Sequence, residues 1–135
     1  MTHKISLNVA GKYLIGVSLA ALLTTGCVAL MVGAGAGAAG TVYVLGKLEE
    51  RVQDSVPKVH KAAVAGLQDL NLPILKDVGD KLSAQIESKT ADEKTIWVNV
   101  NFVSEKLSEV SIRVGLTGDE QRSREILRAI KRHLP

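Results

Sequence analysis

Between Lys12 and Lys47 the chain carries no charge, and this apolar and small-residue stretch, Tyr13 to Gly46, holds the lone cysteine, Cys27, near its middle. Beyond it the hydrophobic positions follow two different periods. Val56, Val59, Ala63, Leu67 and Leu70 recur at three and four residues, which lines them up on one side of a helix and leaves Lys58, Lys61 and Gln68 off it. From Ile74 to Val114 the period is two. Leu82, Ala84 and Ile86, then Ile96, Val98, Val100 and Phe102, then Val110, Ile112 and Val114 alternate with polar neighbours. After Gly118 the helical period returns, with Ile126, Leu127, Ile130 and Leu134 on the apolar side of a helix that begins near Asp119.

These periods predict an α+β domain in the order strand, helix, four strands, helix, over residues 41–135. The first strand is expected over Thr41 to Val52 with a bulge at Gly46. Asp54 or Ser55 is placed to cap the first helix, Pro57 fits only its first turn, and Asn71-Leu-Pro73 ends it. Short turns around Ala91-Asp-Glu93 and Ser104-Glu-Lys106 make the later strands antiparallel hairpins. The expected sheet has four to five strands, with the two helices packed on one face. Its other face is polar, carrying Asn99, Asn101, Ser111 and Arg113, and the alternation puts Trp97 there too. A tryptophan covering a sheet edge or packing under a loop is the better reading of Trp97, a partner contact the second. In the last helix, acids come early (Asp119, Glu120, Glu125) and bases late (Arg128, Lys131, Arg132, His133), the order that the helix dipole favours. That explains the basic end better than contact with anionic lipid headgroups does.

The uncharged stretch reads as an export and anchoring segment. Behind a basic head (His3, Lys4, Lys12) runs an apolar segment from Tyr13 to Leu23, eleven residues. As a helix this rises only about 16 Å, short of a bilayer core of about 30 Å, and charge followed by a short apolar run is the order of a secretory signal. Thr24-Thr25-Gly26-Cys27 then resembles the lipobox of bacterial lipoproteins. The resemblance implies cleavage between Gly26 and Cys27 and acylation of Cys27, with Thr24 standing where leucine is usual. The competing reading is an uncleaved transmembrane helix continuing through Val28 to Val32, and both readings export the rest of the chain. The expected organisation is therefore a signal peptide over 1–26, a lipidated cysteine and Gly/Ala-rich tether over 27–40, and the domain over 41–135.

Composition narrows the function classes. After position 26 fifteen basic residues face fourteen acidic ones, interspersed along the chain, so no clustered basic surface for nucleic acid is expected. A single cysteine excludes an intrachain disulfide. Gly35, Gly37 and Gly40 spell G-x-G-x-x-G, but a dinucleotide fingerprint needs a strand before it and a helix opening at it, and a processing site and a strand-like run flank it instead. A tether is the first reading, and a glycine face of Gly33 and Gly37 packing in or against the bilayer the second. His3, His60 and His133 are scattered, and no G-x-S-x-G, H-E-x-x-H or P-loop occurs, so no catalytic set, metal site or cofactor is expected.

The segment Glu109 to Leu127, with the lipobox, the Gly-Ala run and Tyr43-Val-Leu-Gly-Lys-Leu48, resembles a family of small bacterial envelope lipoproteins catalogued only as a domain of unknown function. Ile112-Arg-Val-Gly115, Gly118-Asp119 and Ser123 fit its most recognisable part. The resemblance implies the envelope address and the fold, and no activity. Arg113, Asp119 and Ser123 are the candidate site. Either they bind an anion across the glycine loop, or, as the residue types favour, the glycines make a tight turn, Asp119 caps the helix and Arg113 pairs with an acid.

The reading that follows is a lipid-anchored structural or adaptor module of the cell envelope. It would contact the membrane through its anchor and an envelope protein or polymer through its sheet face or loops. Val28 follows the cysteine where the enterobacterial lipoproteins it resembles carry aspartate when retained at the inner membrane, so the resemblance implies the periplasmic face of the outer membrane in a diderm bacterium. The alternative is a small-ligand-binding protein or enzyme whose site forms only in three dimensions.

Overall fold

A computed structural model describes residues 40–135. Gly26, Cys27, the apolar run before them and the glycines at 33, 35 and 37 lie outside the described residues. The first expected strand is two strands. β1 (Val42–Val44) and β2 (Lys47–Val52) pair antiparallel through a two-residue turn in which Leu45 and Gly46 have φ of 51° and 80°. Positive φ at both central residues gives the turn whose twist matches paired strands, so Gly46 supplies a hairpin and not the expected bulge.

Helix α1 (Val56–Asp69) follows. Ser55 occupies the cap position with extended backbone, but its side chain makes no cap hydrogen bond, and Asp54 instead pairs with Lys58 at 3.5 Å. The expected side-chain cap does not form, and proline in the first turn lowers the need for one by removing a donor. At the other end Asn71 takes φ of 54°, its N–H reaches Gln68 O at 2.9 Å and the Leu72 N–H reaches Leu67 O at 3.0 Å. These are the two bonds of a Schellman close, with Leu72 packed on the core.

Strands β3 (Ile74–Gly79), β4 (Ser83–Lys89), β5 (Thr95–Ser104) and β6 (Leu107–Val114) form a meander, and helix α2 (Glu120–Lys131) closes the chain. β6 pairs with β2, so the antiparallel sheet has six strands in the order β1-β2-β6-β5-β4-β3, more than the four to five expected. The extra strand comes from splitting the first run. α1 carries the chain from β2 to the far edge of the sheet. Its buried residues (Val56, Val59, Ala63, Leu67) and those of α2 (Ile126, Leu127, Ile130) form one core with the inward residues of the strands, among them Ile86, Val98 and Ile112. Each large buried side chain contributes about 1.5–3 kcal/mol of hydrophobic stabilisation.

The two helices cross closely at Gly66. A Cβ there would lie 2.7 Å from the backbone nitrogen of Ile130, so the crossing requires glycine. Two positions expected in the core are exposed: Leu82 at 62% and Phe102 at 44%. Leu82 belongs to the turn before β4, where Asp80 Oδ1 accepts from the N–H groups of Leu82 and Ser83 at 2.7 and 2.8 Å. Phe102 lies past the last pair of buried apolar partners, Val100 and Val110; opposite it is Ser108, whose hydroxyl donates to Asp54 O at 2.7 Å.

Edge strand β3 is exposed almost throughout, with Leu75 turned out at a register shift between Ile74 and Lys76. A bulge and charged residues on an edge discourage pairing with another sheet. Among the described residues no helix is long and apolar enough to cross a membrane.

Candidate functional site

The loop between β6 and α2 is built by its own side chains. Gly115 and Gly118 take φ of 72° and 84°, a conformation that costs other residues about 1–2 kcal/mol. Arg113 Nε donates to Gly115 O at 3.3 Å, and its Nη2 donates to Leu116 O. Asp119 caps α2, its Oδ1 accepting from the Arg122 N–H at 3.0 Å. Ser123, fully buried, donates its hydroxyl to Asp119 O at 2.7 Å. Arg113 thus holds loop carbonyls, where an acid was the expected partner. The guanidinium faces the loop backbone and Ser123 is sealed beneath it, so the three candidate residues shape one loop and do not converge on a common ligand position.

That loop rests on the first hairpin. A Cβ on Gly118 would lie 2.4 Å from Gly46 Cα and 2.6 Å from the Tyr43 hydroxyl, and one on Gly46 would lie 2.8 Å from Thr117 O. Tyr43 to Leu48 and Gly115 to Gly118, far apart in sequence, meet glycine against glycine. The pattern of small residues is the signal, but it names no partner.

A cleft of about 550 Å³ opens beside this loop. Trp97 and Thr95 of β5 form one wall, Lys94 and Glu93 of the preceding turn the second, and Leu116 to Asp119 the third. Both rims are fixed. Gly115 N–H donates to Thr95 O at 2.8 Å, and the turn is closed by Thr90 N–H to Lys94 O at 2.9 Å and Lys94 N–H to Thr90 Oγ1 at 3.0 Å. The Thr90 hydroxyl and the Lys94 ammonium beside the Asp92 carboxylate lower its pKa, Thr90 having the larger effect. The pKa of Asp80 is lowered by the N–H bonds from Leu82 and Ser83 at the opposite end of β4. The sequence marked this cleft through Trp97 and through Asp119 with the Gly115 and Gly118 loop, but separately; Lys94, Thr95 and Thr117 have no pattern that marks them.

The open face of the sheet continues from the cleft. Val42, Glu49, Ser111, Asn99, Gln85 and Val78 stand in one row across all six strands, and Arg113, Trp97, Glu87 and Lys76 in the next. On the covered face one acid is buried. Glu50, at 4% exposure, binds Lys131 Nζ at 2.5 Å and accepts from the Thr41 hydroxyl. Its inward parity between Leu48 and Val52 was the missed signal. The histidines pair separately, His60 with Asp77 at 2.5 Å and His133 with Asp69 at 2.6 Å. Among the described residues no three His, Cys, Asp or Glu come together as metal donors.

The model of one protein family, described as a protein of unknown function (DUF3568), matches residues 12–133. No curated protein matches the chain.

Proposed function

The chain belongs to the DUF3568 family, and from that premise we infer that it is a lipid-anchored module of the cell envelope. Cys27 carries the lipid, and residues 41–135 bind an envelope protein or polymer. One observation carries the binding role. The helices cover one face of a six-stranded sheet and leave the other as rows of mainly amide, hydroxyl and charged side chains around a half-buried tryptophan, with Val42 and Val78 at the two edges. An antiparallel scaffold holds such groups at fixed spacing, so a partner meets them without ordering them first.

The anchor follows from the lipobox. Two or three acyl chains hold stably where one holds weakly, each buried methylene contributing about 0.8 kcal/mol. Val28 after the cysteine supports the periplasmic face of the outer membrane in a diderm host. Cys27→Ser is expected to block lipid labelling and leave a larger, uncleaved precursor. Unchanged processing and labelling would overturn the anchor in favour of an uncleaved helix. For the binding role, a photo-crosslinker at Asn99 on the open face is expected to capture an envelope component in cells, and the same group at Lys61 on α1 is not. Equal capture from both positions refutes the open face as the contact surface.

A further inference from the structure

We propose that the cleft between Trp97 and the Gly115–Asp119 loop is a saccharide-binding site, taking the ring of a neutral hexose unit within an envelope glycan. The proposal rests on the binding-module reading for the origin of that glycan. Its volume of about 550 Å³ falls within the usual range of ligand clefts, roughly 300–1,000 Å³.

The chemistry of the walls selects the ligand. Trp97 offers a flat apolar surface, half-buried and therefore held by its neighbours, and the loop contributes Leu116 to the lining, an apolar side chain 81% exposed. A pyranose ring presents a face of C–H groups that packs on an aromatic plane and a rim of hydroxyls that needs hydrogen-bond partners. Among the lining residues Thr95, Thr117 and Asp119 carry groups able to make those bonds. Asp119, a lining residue, uses Oδ1 as the helix cap, and its Oδ2 makes no hydrogen bond among the described residues, which leaves that oxygen able to accept one.

Charge argues against an anionic ligand. Lys94 Nζ lies 3.2 Å from Asp92 and the Glu93 carboxylate 2.6 Å from Lys89 Nζ, so each rim charge is answered by a neighbour. Of the remaining charges Asp119 lines the cleft, whereas the Arg113 guanidinium is engaged by the carbonyls of Gly115 and Leu116 and does not line it. The wall itself therefore presents an acid, which accepts from hydroxyls and disfavours phosphate. Preorganisation is also present. Arg113 ties down the carbonyls of Gly115 and Leu116, and the contact of Gly118 with Gly46 fixes the loop against the hairpin, so little loop entropy is lost on binding.

Trp97 is the only tryptophan in the chain, so its emission reports this cleft alone. The full chain is titrated in zwitterionic micelles without sugar headgroups, using a tetramer of N-acetylglucosamine, a tetramer of glucose and inorganic phosphate. A saturable emission change with at least one tetramer and none with phosphate is expected. Asp119→Asn keeps a capping side chain and removes the charge-assisted acceptor, so affinity should fall about ten-fold with the melting temperature unchanged. Trp97→Leu, followed by calorimetry, should abolish binding. No saturable change with either tetramer, a response to phosphate, or an Asp119→Asn affinity equal to the parent's overturns the proposal. The titration does not depend on lipid at Cys27. A negative result therefore leaves the anchor and crosslinking outcomes standing, and their failure would leave a positive titration standing.

Discussion

The two faces of the sheet are made by the same strands and differ in almost every physical respect. On the covered face Ile86, Val98, Val110 and Ile112 are sealed under α1 and α2, and the one charge admitted, Glu50, is paired with Lys131. On the open face, one residue further along each strand, Gln85, Asn99, Glu109 and Arg113 meet solvent in register. Stability is therefore concentrated on one face, and the groups able to recognise a partner on the other. Substitutions one position apart should separate the two properties.

The sharpest way to break that division is Ile112→Ala against Asn99→Ala. Ile112 is fully buried, and losing its side chain leaves a cavity worth about 3–4 kcal/mol, whereas Asn99→Ala should stay within about 0.5 kcal/mol of the parent in urea denaturation. Equal losses would show that the open face also carries the fold. Gly118→Ala comes next, at about 2–3 kcal/mol, because the residue has φ of 84° and its new Cβ would press on Gly46. A melting temperature within a degree or two of the parent's would mean that the hairpin and the loop do not depend on each other.

Asp119→Ala should cost about 1 kcal/mol, the loss of one N-cap, and Asp119→Asn close to nothing. Thermal denaturation of the pair tells the cap from any other role of the carboxylate. The smallest effect is expected at Asp80, where the turn N–H groups of Leu82 and Ser83 lower the pKa. A carboxyl depressed in the folded state stabilises above its unfolded value, about pH 3.9, and loses that contribution as pH falls through the folded value. Asp80→Ala should thus unfold at slightly lower urea than the parent at neutral pH, with the gap closing in strong acid. A gap that widens with acidification would contradict the assignment.

Local pattern made much of the fold legible. Period three-to-four marked Val56 to Leu67 and Ile126 to Ile130, and period two marked Ile96 to Val100 and Val110 to Val114, since burial of one side imposes those repeats on the sequence itself. The same rule misassigned Leu82 and Phe102. Alternation says which side a residue points to, and it does not say how far the helices extend over that side.

By itself, then, the sequence determined the two helices, the meander, the polar sense of the open face and the capping role open to Asp119, because each depends on neighbours a few residues away. Only the tertiary structure decided that Gly46 turns a hairpin, that the turn seats against Gly118, and that Lys94, Trp97 and Thr117 border one cleft. Those outcomes depend on strand order, β2 beside β6 and β6 beside β5. Strand order is settled by which surfaces can be buried together, a property of the whole assembled chain.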